Sequence, residues 1–322
     1  MSGGMADILL IKTSSLGDVV HQMPAVTDAR RARPDLHLTW VVEDAFAPLA
    51  RLHPGVDEVL PVSFRRWRKA LTVPSGWNGS AREMRLFVSR LRARRYDIVL
   101  DTQGLVRTGM MARAARGERH GYDSASIREP AAAWFYDCRH AVGRNLHAVT
   151  RNRILTGLAL GYAPQERLDY GLARAAPEGV EPLAILFHAT SRQDKEWPEA
   201  HWLALGRELR ARGYRLLLPW GNARERERSQ RLAAGLPGAS VPEAMPVDAV
   251  ARLIATAALV VGVDTGLLHL AAAYGVPLVA IFTASEPGLT GPVGAGPIAI
   301  VGSRGVVPPA AEVIAALPPP PH

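Results

Sequence analysis

Ile8 to Ile11 is an apolar run of strand length, and it stops at the polar turn Lys12-Thr13-Ser14-Ser15-Leu16-Gly17. Asp18 follows where a helix N-cap belongs, and Val19, Val20 and Met23 supply the apolar side of the first helical turns. Pro24 distorts that helix or limits its first segment. Strand, polar turn and helix start form the unit from which parallel sheets are built, and its turn is where open α/β sheets present ligand-binding groups. The turn is neither a GxGxxG fingerprint nor a P-loop, because the required glycines and the GK[ST] ending are absent. An Asp at the positive end of a helix stays ionised and can accept a proton. On spacing alone, Asp18 reads either as that base or as a plain helix cap.

The same grammar recurs along the chain. Strands are expected at 37–42, 58–61 and 97–100, a short helical segment at 46–52, and an amphipathic helix at 81–95 with Met84, Phe87, Val88 and Leu91 inward. The strand at 97–100 closes on Asp101-Thr102-Gln103-Gly104. Residues 112–153 are basic and less periodic, and His147 opens a further helix. The second half restarts with strands at 183–187, 214–218, 259–263 and 278–282, a short one at 239–241, and helices after 198, at 223–234, at 247–257 and near 310–317. Residues 173–182, ARAAPEGVEP, have linker composition. The expected organisation is two α/β domains, 1–172 and 183–322, joined by 173–182.

Composition narrows the function. With 322 residues, 48% of them hydrophobic, the chain has material for two cores. The single cysteine, Cys138, excludes an internal disulfide and a Cys-rich metal site, and a buried inert thiol is its expected state. No signal-like N-terminus and no membrane-length apolar run is visible, so a soluble cytoplasmic protein is expected. A formal net charge of +8 favours anionic partners. Lysine occurs only at Lys12, Lys69 and Lys195, each in a stretch singled out on other grounds.

Polar groups gather at the expected strand ends: Asp18, Gln103, Thr190, Lys195, Asp264, Thr265 and His269. Thr265 and Gly266 would expose backbone N–H groups at a helix start, which suits a diphosphate, and Gly266 would let it approach the main chain. On spacing alone Asp264 is equally a helix cap, His269 equally a core histidine, and Lys195 equally a surface lysine. Phe64-Arg65-Arg66-Trp67-Arg68-Lys69 sets four cations around an aromatic, beside the Pro/Gly/Ser/Asn-rich stretch 72–80.

Together these pieces carry a resemblance: KTSSLGDVVHQMPA at 12–25, FRRWRKA at 64–70, DTQGL at 101–105, REPAA at 128–132, HATSRQDKEWP at 188–198, PWGN at 219–222 and VDTGLLHLAAA at 263–273. In that order they resemble the family-9 glycosyltransferases, and within them the lipopolysaccharide heptosyltransferase I branch. Ser191, where that branch has threonine, and the proline-rich end depart from the pattern. The resemblance implies a GT-B fold, two Rossmann-like doubly wound parallel-sheet domains facing across a cleft, with the acceptor on the N-terminal domain and the nucleotide-sugar on the C-terminal one. It implies inverting transfer of L-glycero-D-manno-heptose from ADP-heptose to Kdo of Kdo2-lipid A. A diphosphate leaves readily, so one base suffices, where inverting glycosidases need an acid as well. The implied base is Asp18. Lys195, Thr190, Ser191 and the Thr265-Gly266 helix start would stabilise the leaving diphosphate. Lys12 would orient Asp18 or touch a phosphate, Glu225 would hold ribose, Met245 would lie against adenine, and Asp264 and His269 would hold heptose or diphosphate. Arg65, Arg66, Arg68, Lys69, Gln103 and Arg128 would take the anionic acceptor. Neither a metal nor another cofactor is expected, no nucleic-acid module is recognised, and the basic face implies peripheral attachment to the inner leaflet. A second heptosyltransferase or a non-enzymatic bilobal binder are the alternatives.

Overall fold

The computed structural model describes residues 6–70, 77–176, 181–190 and 192–319, with the side chains of Trp77 and Asn78 excepted. The chain divides into two compact units, Met1–Gly171 and Leu172–His322. Each is built on one fully parallel sheet with helical crossovers.

In the first unit, β1 (Asp7–Ile11), β2 (His37–Glu43), β3 (Glu58–Val62), β4 (Arg95–Asp101), β5 (Arg116–Tyr122) and β6 (Cys138–His140) lie in the order β3-β2-β1-β4-β5-β6. Ile8 to Ile11, Trp40 to Val42, Val99 and Leu100 are buried almost completely, as strands covered on both faces must be. The helices are α1 (Leu16–Ala32), α2 (Ala47–Ala50), α3 (Phe64–Ala70), α4 (Trp77–Arg92), α5 (Val106–Ala114) and α6 (Ala148–Leu160). Helix α1 runs through Pro24. Its N-cap is Ser15, so Asp18 stands at N3 and not at the N-cap that the sequence suggests. His147 caps α6 by accepting from Val149 N–H, 3.2 Å.

The second unit holds β7 (Leu183–Phe187), α7 (Glu199–Ala211), β8 (Arg215–Leu217), α8 (Ala223–Ala234), α9 (Val247–Thr256), β9 (Leu259–Val263), α10 (Gly266–Ala273), β10 (Leu278–Ile281), β11 (Ile298–Val301) and α11 (Ala310–Ala315), with strand order β11-β10-β9-β7-β8. Trp197, Trp202, Leu205 and Leu209 pack on this sheet with Val261, Val263 and Val279. Gly262 lets α10 lie close to β9: a Cβ there would meet the Leu268 side chain at 2.6 Å and Phe187 Cβ at 2.9 Å.

Both orders contain a point where crossovers leave in opposite directions: between β1 and β4 in the first sheet, and between β7 and β9 in the second. At such a point the loops beyond the carboxyl ends of the two strands diverge and leave a crevice where ligands bind. The two loops on each side are 12–15 with 102–105, and 188–198 with 264–265.

The structure departs from the sequence expectations in several places. β5, β6 and β11 were not expected. Residues 239–241 form no strand; Ser240 makes a single bridge to Leu217. Met84 is 43% exposed, while Phe87 and Leu91 are the buried apolar residues among those described in α4. Of the expected loop 72–80, residues 71–76 lie outside the described residues and 77–80 belong to α4. Of the expected linker 173–182, residues 177–180 lie outside them, and Ala175 N–H donates to Ala255 O at 3.1 Å within the second unit. Cys138 is half-buried on β6, not a core thiol.

Candidate active site

At the first switch point nearly every polar group of the two loops is accounted for. The Gln103 side-chain oxygen accepts from both Thr13 N–H, 3.0 Å, and Ser14 N–H, 3.1 Å, tying the β4 loop to the β1 loop. Asp101, fully buried, closes the β4 loop: its Oδ1 accepts from Gln103 N–H at 2.8 Å and Gly104 N–H at 3.2 Å, and its Oδ2 accepts from Tyr136 O–H at 2.7 Å. Gly104 has φ of 69°, a left-handed conformation that β-carbons disfavour, and a Cβ would meet Ile127 at 2.8 Å. Asp18 takes its place from the same device, its Oδ2 accepting from Ser15 N–H at 2.6 Å. The carboxylate is partly exposed at the helix start.

Lys12 is buried beneath this loop, 6% exposed. Its Nζ donates to Thr102 O at 3.0 Å and Asn152 Oδ1 at 3.5 Å. Burial pushes the ammonium below its ordinary range, opposed by the charges of Asp18 and Asp101; Arg151 and Arg128 add to the lowering. Burial likewise pushes Asp101 up, against the hydrogen bonds it accepts.

Beside Ser14 lies a cavity of about 320 Å³ lined by Glu43, Phe64, Arg65, Arg68 and Arg107. The Arg107 guanidinium donates to Ser14 Oγ at 3.3 Å and stands 5.5 Å over the Phe64 ring. Arg65 stacks 5.0 Å over Phe46, and its N–H donates to Glu43 Oε1 at 3.0 Å. Burial raises the Glu43 carboxyl above its ordinary range. The basic cluster is therefore split by its helix. Arg65 and Arg68 face this cavity, whereas Arg66 turns away to Ser63 Oγ, 2.8 Å, and Glu83, 3.0 Å. Lys69 and Arg128 are exposed. Arg107 and Glu43 escaped sequence reasoning; the one signal for Arg107 is its position just beyond DTQGL.

The second switch point is built around Asp264. Its Oδ2 accepts from Lys195 Nζ at 2.6 Å and from the Ser285 hydroxyl, and its backbone carbonyl accepts from Thr190 Oγ1 at 3.0 Å. The loops after β7, β9 and β10 are thus joined at one carboxylate. Thr265 caps α10 without a side-chain bond, and Gly266 opens the helix. His269 is buried one turn further in. Ser191 lies outside the described residues. Glu225 sits in the first turn of α8, its Oε2 accepting from Gly221 N–H at 2.8 Å and its Oε1 from Asn222 Nδ2 at 2.7 Å. Met245 is partly exposed on the loop before α9.

The chain as a whole is similar to known proteins. A profile for glycosyltransferase family 9 (heptosyltransferase) covers residues 84–309. The chain belongs to glycosyltransferase family 9. It is 42% identical over 295 residues to lipopolysaccharide heptosyltransferase 1 of Escherichia coli K12, covering 89% of this chain and 91% of that one. The Pseudomonas aeruginosa heptosyltransferase 1 is 44% identical over 294 residues, covering 89% and 81%. In structure the chain matches E. coli heptosyltransferase WaaC with ADP-2-deoxy-2-fluoro heptose, with TM-score 0.86 and 38% identity over 96% of both chains. By contrast E. coli heptosyltransferase 2 aligns over 105 residues, 31% of this chain, at 32% identity. The fold of this family member is GT-B, two Rossmann-like units in one chain.

His188, at the head of the HATSRQDKEWP loop, is a core residue. It is fully buried, its Nε2 lies 2.7 Å from Ser229 Oγ, and burial lowers its pKa to about 4. The unfolded chain binds that proton near 6.5, so the folded state holds fewer protons between the two values. Stability is complete above pH 6.5 and falls as pH drops toward about 4. Thermal unfolding of His188→Gln should show a shallower acid loss across this window than the parent protein. Equal slopes would show that His188 carries no proton linkage.

Proposed function

We propose that this family-9 enzyme transfers L-glycero-D-manno-heptose from ADP-heptose to a Kdo sugar of Kdo2-lipid A in lipopolysaccharide inner-core assembly, with inversion at the anomeric carbon. The similarity to heptosyltransferase 1 over 89% of the chain supports the reaction, and the neighbour holding an ADP-heptose analogue supports the donor. The limited alignment with heptosyltransferase 2 argues against that branch.

The observation that carries the mechanism is the position of Asp18, held at a helix start and at a switch point by Ser15 N–H, 2.6 Å. The Asp18 carboxylate takes the proton of an acceptor hydroxyl as its oxygen attacks the anomeric carbon. The bond from that carbon to the diphosphate oxygen breaks, and ADP leaves with the electron pair. Lys195, Thr190, Ser191 and the Thr265-Gly266 helix start meet the charge that grows on the diphosphate. Donor binding frees Lys195 to divide its hydrogen bonds between Asp264 and phosphate, with Asp264 and His269 also touching heptose or diphosphate. Glu225 accepts from ribose hydroxyls by opening its turn contacts, and Met245 lies against adenine. Lys12, buried under the loop, holds the Asp18 carboxylate in place by charge.

The acceptor brings carboxylates and phosphates. The cavity of Ser14, Arg65, Arg68 and Arg107 offers three guanidiniums for them, with Lys69 and Arg128 as outer contacts and Arg66 as a lesser one. Gln103 acts by holding the loop. This basic surface attracts an anionic leaflet, giving peripheral attachment at the cytoplasmic face of the inner membrane; no helix among the described residues is long and apolar enough to cross a membrane.

Incubation with ADP-heptose and Kdo2-lipid A should yield a lipid heavier by one heptosyl residue, together with ADP, by mass analysis. No product from this pair, with transfer to another acceptor, would contradict the assignment. Replacing Arg65, Arg68 and Arg107 by Ala together should raise the acceptor KM about tenfold or more and leave the ADP-heptose KM within about twofold. Equal loss for both substrates would remove these residues from the acceptor site.

A further inference from the structure

Apart from the switch points, one cluster of chemistry-bearing side chains stands on the first sheet. β5 carries Glu118-Arg119-His120 and β6 carries Cys138-Arg139-His140. The strands are parallel and pair His120 with Cys138 and Tyr122 with His140. Side chains two apart on a strand share a face. The register therefore puts Glu118, His120, Cys138 and His140 on one face of neighbouring strands. An oxygen, two nitrogens and a sulfur are brought together by pairing alone.

The atoms are close. One ligand atom each of Glu118, His120 and Cys138 lie within 4.8 Å of one another. His120 Nε2 stands 3.2 Å from Glu118 Oε2. Its other ring nitrogen, Nδ1, stands 3.0 Å from His140 Nε2, and the two rings stack with centroids 5.3 Å apart. His120 is buried, Cys138 and His140 are half-buried and Glu118 is exposed, so the cluster has a firm floor and a path to solvent.

We infer that Glu118, His120 and Cys138 bind a borderline-soft divalent cation of the zinc or cobalt class, with His140 as the outer partner that orients His120. Imidazole, thiolate and carboxylate are the ligand types that such an ion takes, with bonds of about 2.0–2.3 Å. Ligand atoms around a tetrahedral ion then lie about 3.5 Å apart, so small side-chain rotations close the cluster. An ion on His120 Nε2 fixes the proton on Nδ1, and that N–H points at His140 Nε2. A metal-binding histidine commonly donates its second N–H to such an acceptor. Binding releases the Cys138 thiol proton to solvent, and a water completes the coordination. The site stands on β5 and β6, away from the loop that carries Asp18, so its role is to pin the edge strand β6 and not to take part in sugar transfer.

Cobalt(II) reports the site directly, because a thiolate bound to it absorbs in the near ultraviolet, and Cys138 is the chain's single cysteine. Full-length protein, reduced and stripped of metal, should develop that band at one cobalt per chain, and zinc(II) should displace it. Cys138→Ser should lose the band. His140→Ala should keep the band but need about tenfold or more cobalt to reach half its height. Both variants should melt within a few degrees of the metal-stripped parent, which separates lost ligation from lost folding. No band in the parent would mean that His120 merely hydrogen-bonds to Glu118 and His140, and it would overturn the proposal. So would a band surviving Cys138→Ser, or unchanged affinity in a folded His140→Ala.

Discussion

Where crossovers leave two neighbouring parallel strands in opposite directions, the loops that follow cannot cover one another. The chain must still satisfy the backbone N–H groups that emerge there, since an unpaired buried donor is expensive. In the first unit the answer is the Gln103 carboxamide, which accepts from two consecutive N–H groups of the opposite loop. In the second unit the loops are tied through side-chain donors instead: Asp264 accepts from Lys195 and Ser285 and, through its carbonyl, from Thr190. These two ties hold the loops on either side of each switch point together.

The ties differ electrically. The first is neutral at Gln103 but stands over a buried ammonium, Lys12, and a buried carboxyl, Asp101, each displaced from its ordinary range by loss of water. Their partners come from the loop after β4, from α6 and from the segment before β6, so the floor beneath the β1 loop draws on distant parts of the unit. The second tie is an ion pair with side chains about one-fifth exposed, close enough to water for an anion to compete for the ammonium.

Much of this was legible in the sequence. β1, β7, β9 and β10 are covered on both faces and read as continuous apolar runs. β5 and β6 did not read so, because RGERHGY and CRH carry polar and charged residues at and beside a sheet edge, and four-residue β11 is an edge as well. The loops bearing Asp18, Gln103, Lys195 and Asp264 are legible because a polar turn after an apolar run is a local signal. Local signals cannot say which way a side chain leaves its helix. Hence Arg66 reads with Arg65 and Arg68 in the sequence, although α3 turns it toward Glu83. Nor do they find Arg107, Glu43 or Ser285, whose roles come from partners far away in sequence. Asp18 reads from the sequence as an N-cap but is the N3 residue, because Ser15 and Asp18 form a reciprocal capping pair and either residue type suits the cap.

That pair also allows the most direct measurement. An asparagine at position 18 keeps an oxygen for Ser15 N–H, so Asp18→Asn preserves the loop and removes only the basicity. Turnover with ADP-heptose and Kdo2-lipid A should fall about a hundredfold or more, while ADP-heptose affinity by calorimetry stays within about twofold of the parent. Near-normal turnover in Asp18→Asn would contradict the account, because proton removal would then belong to another group.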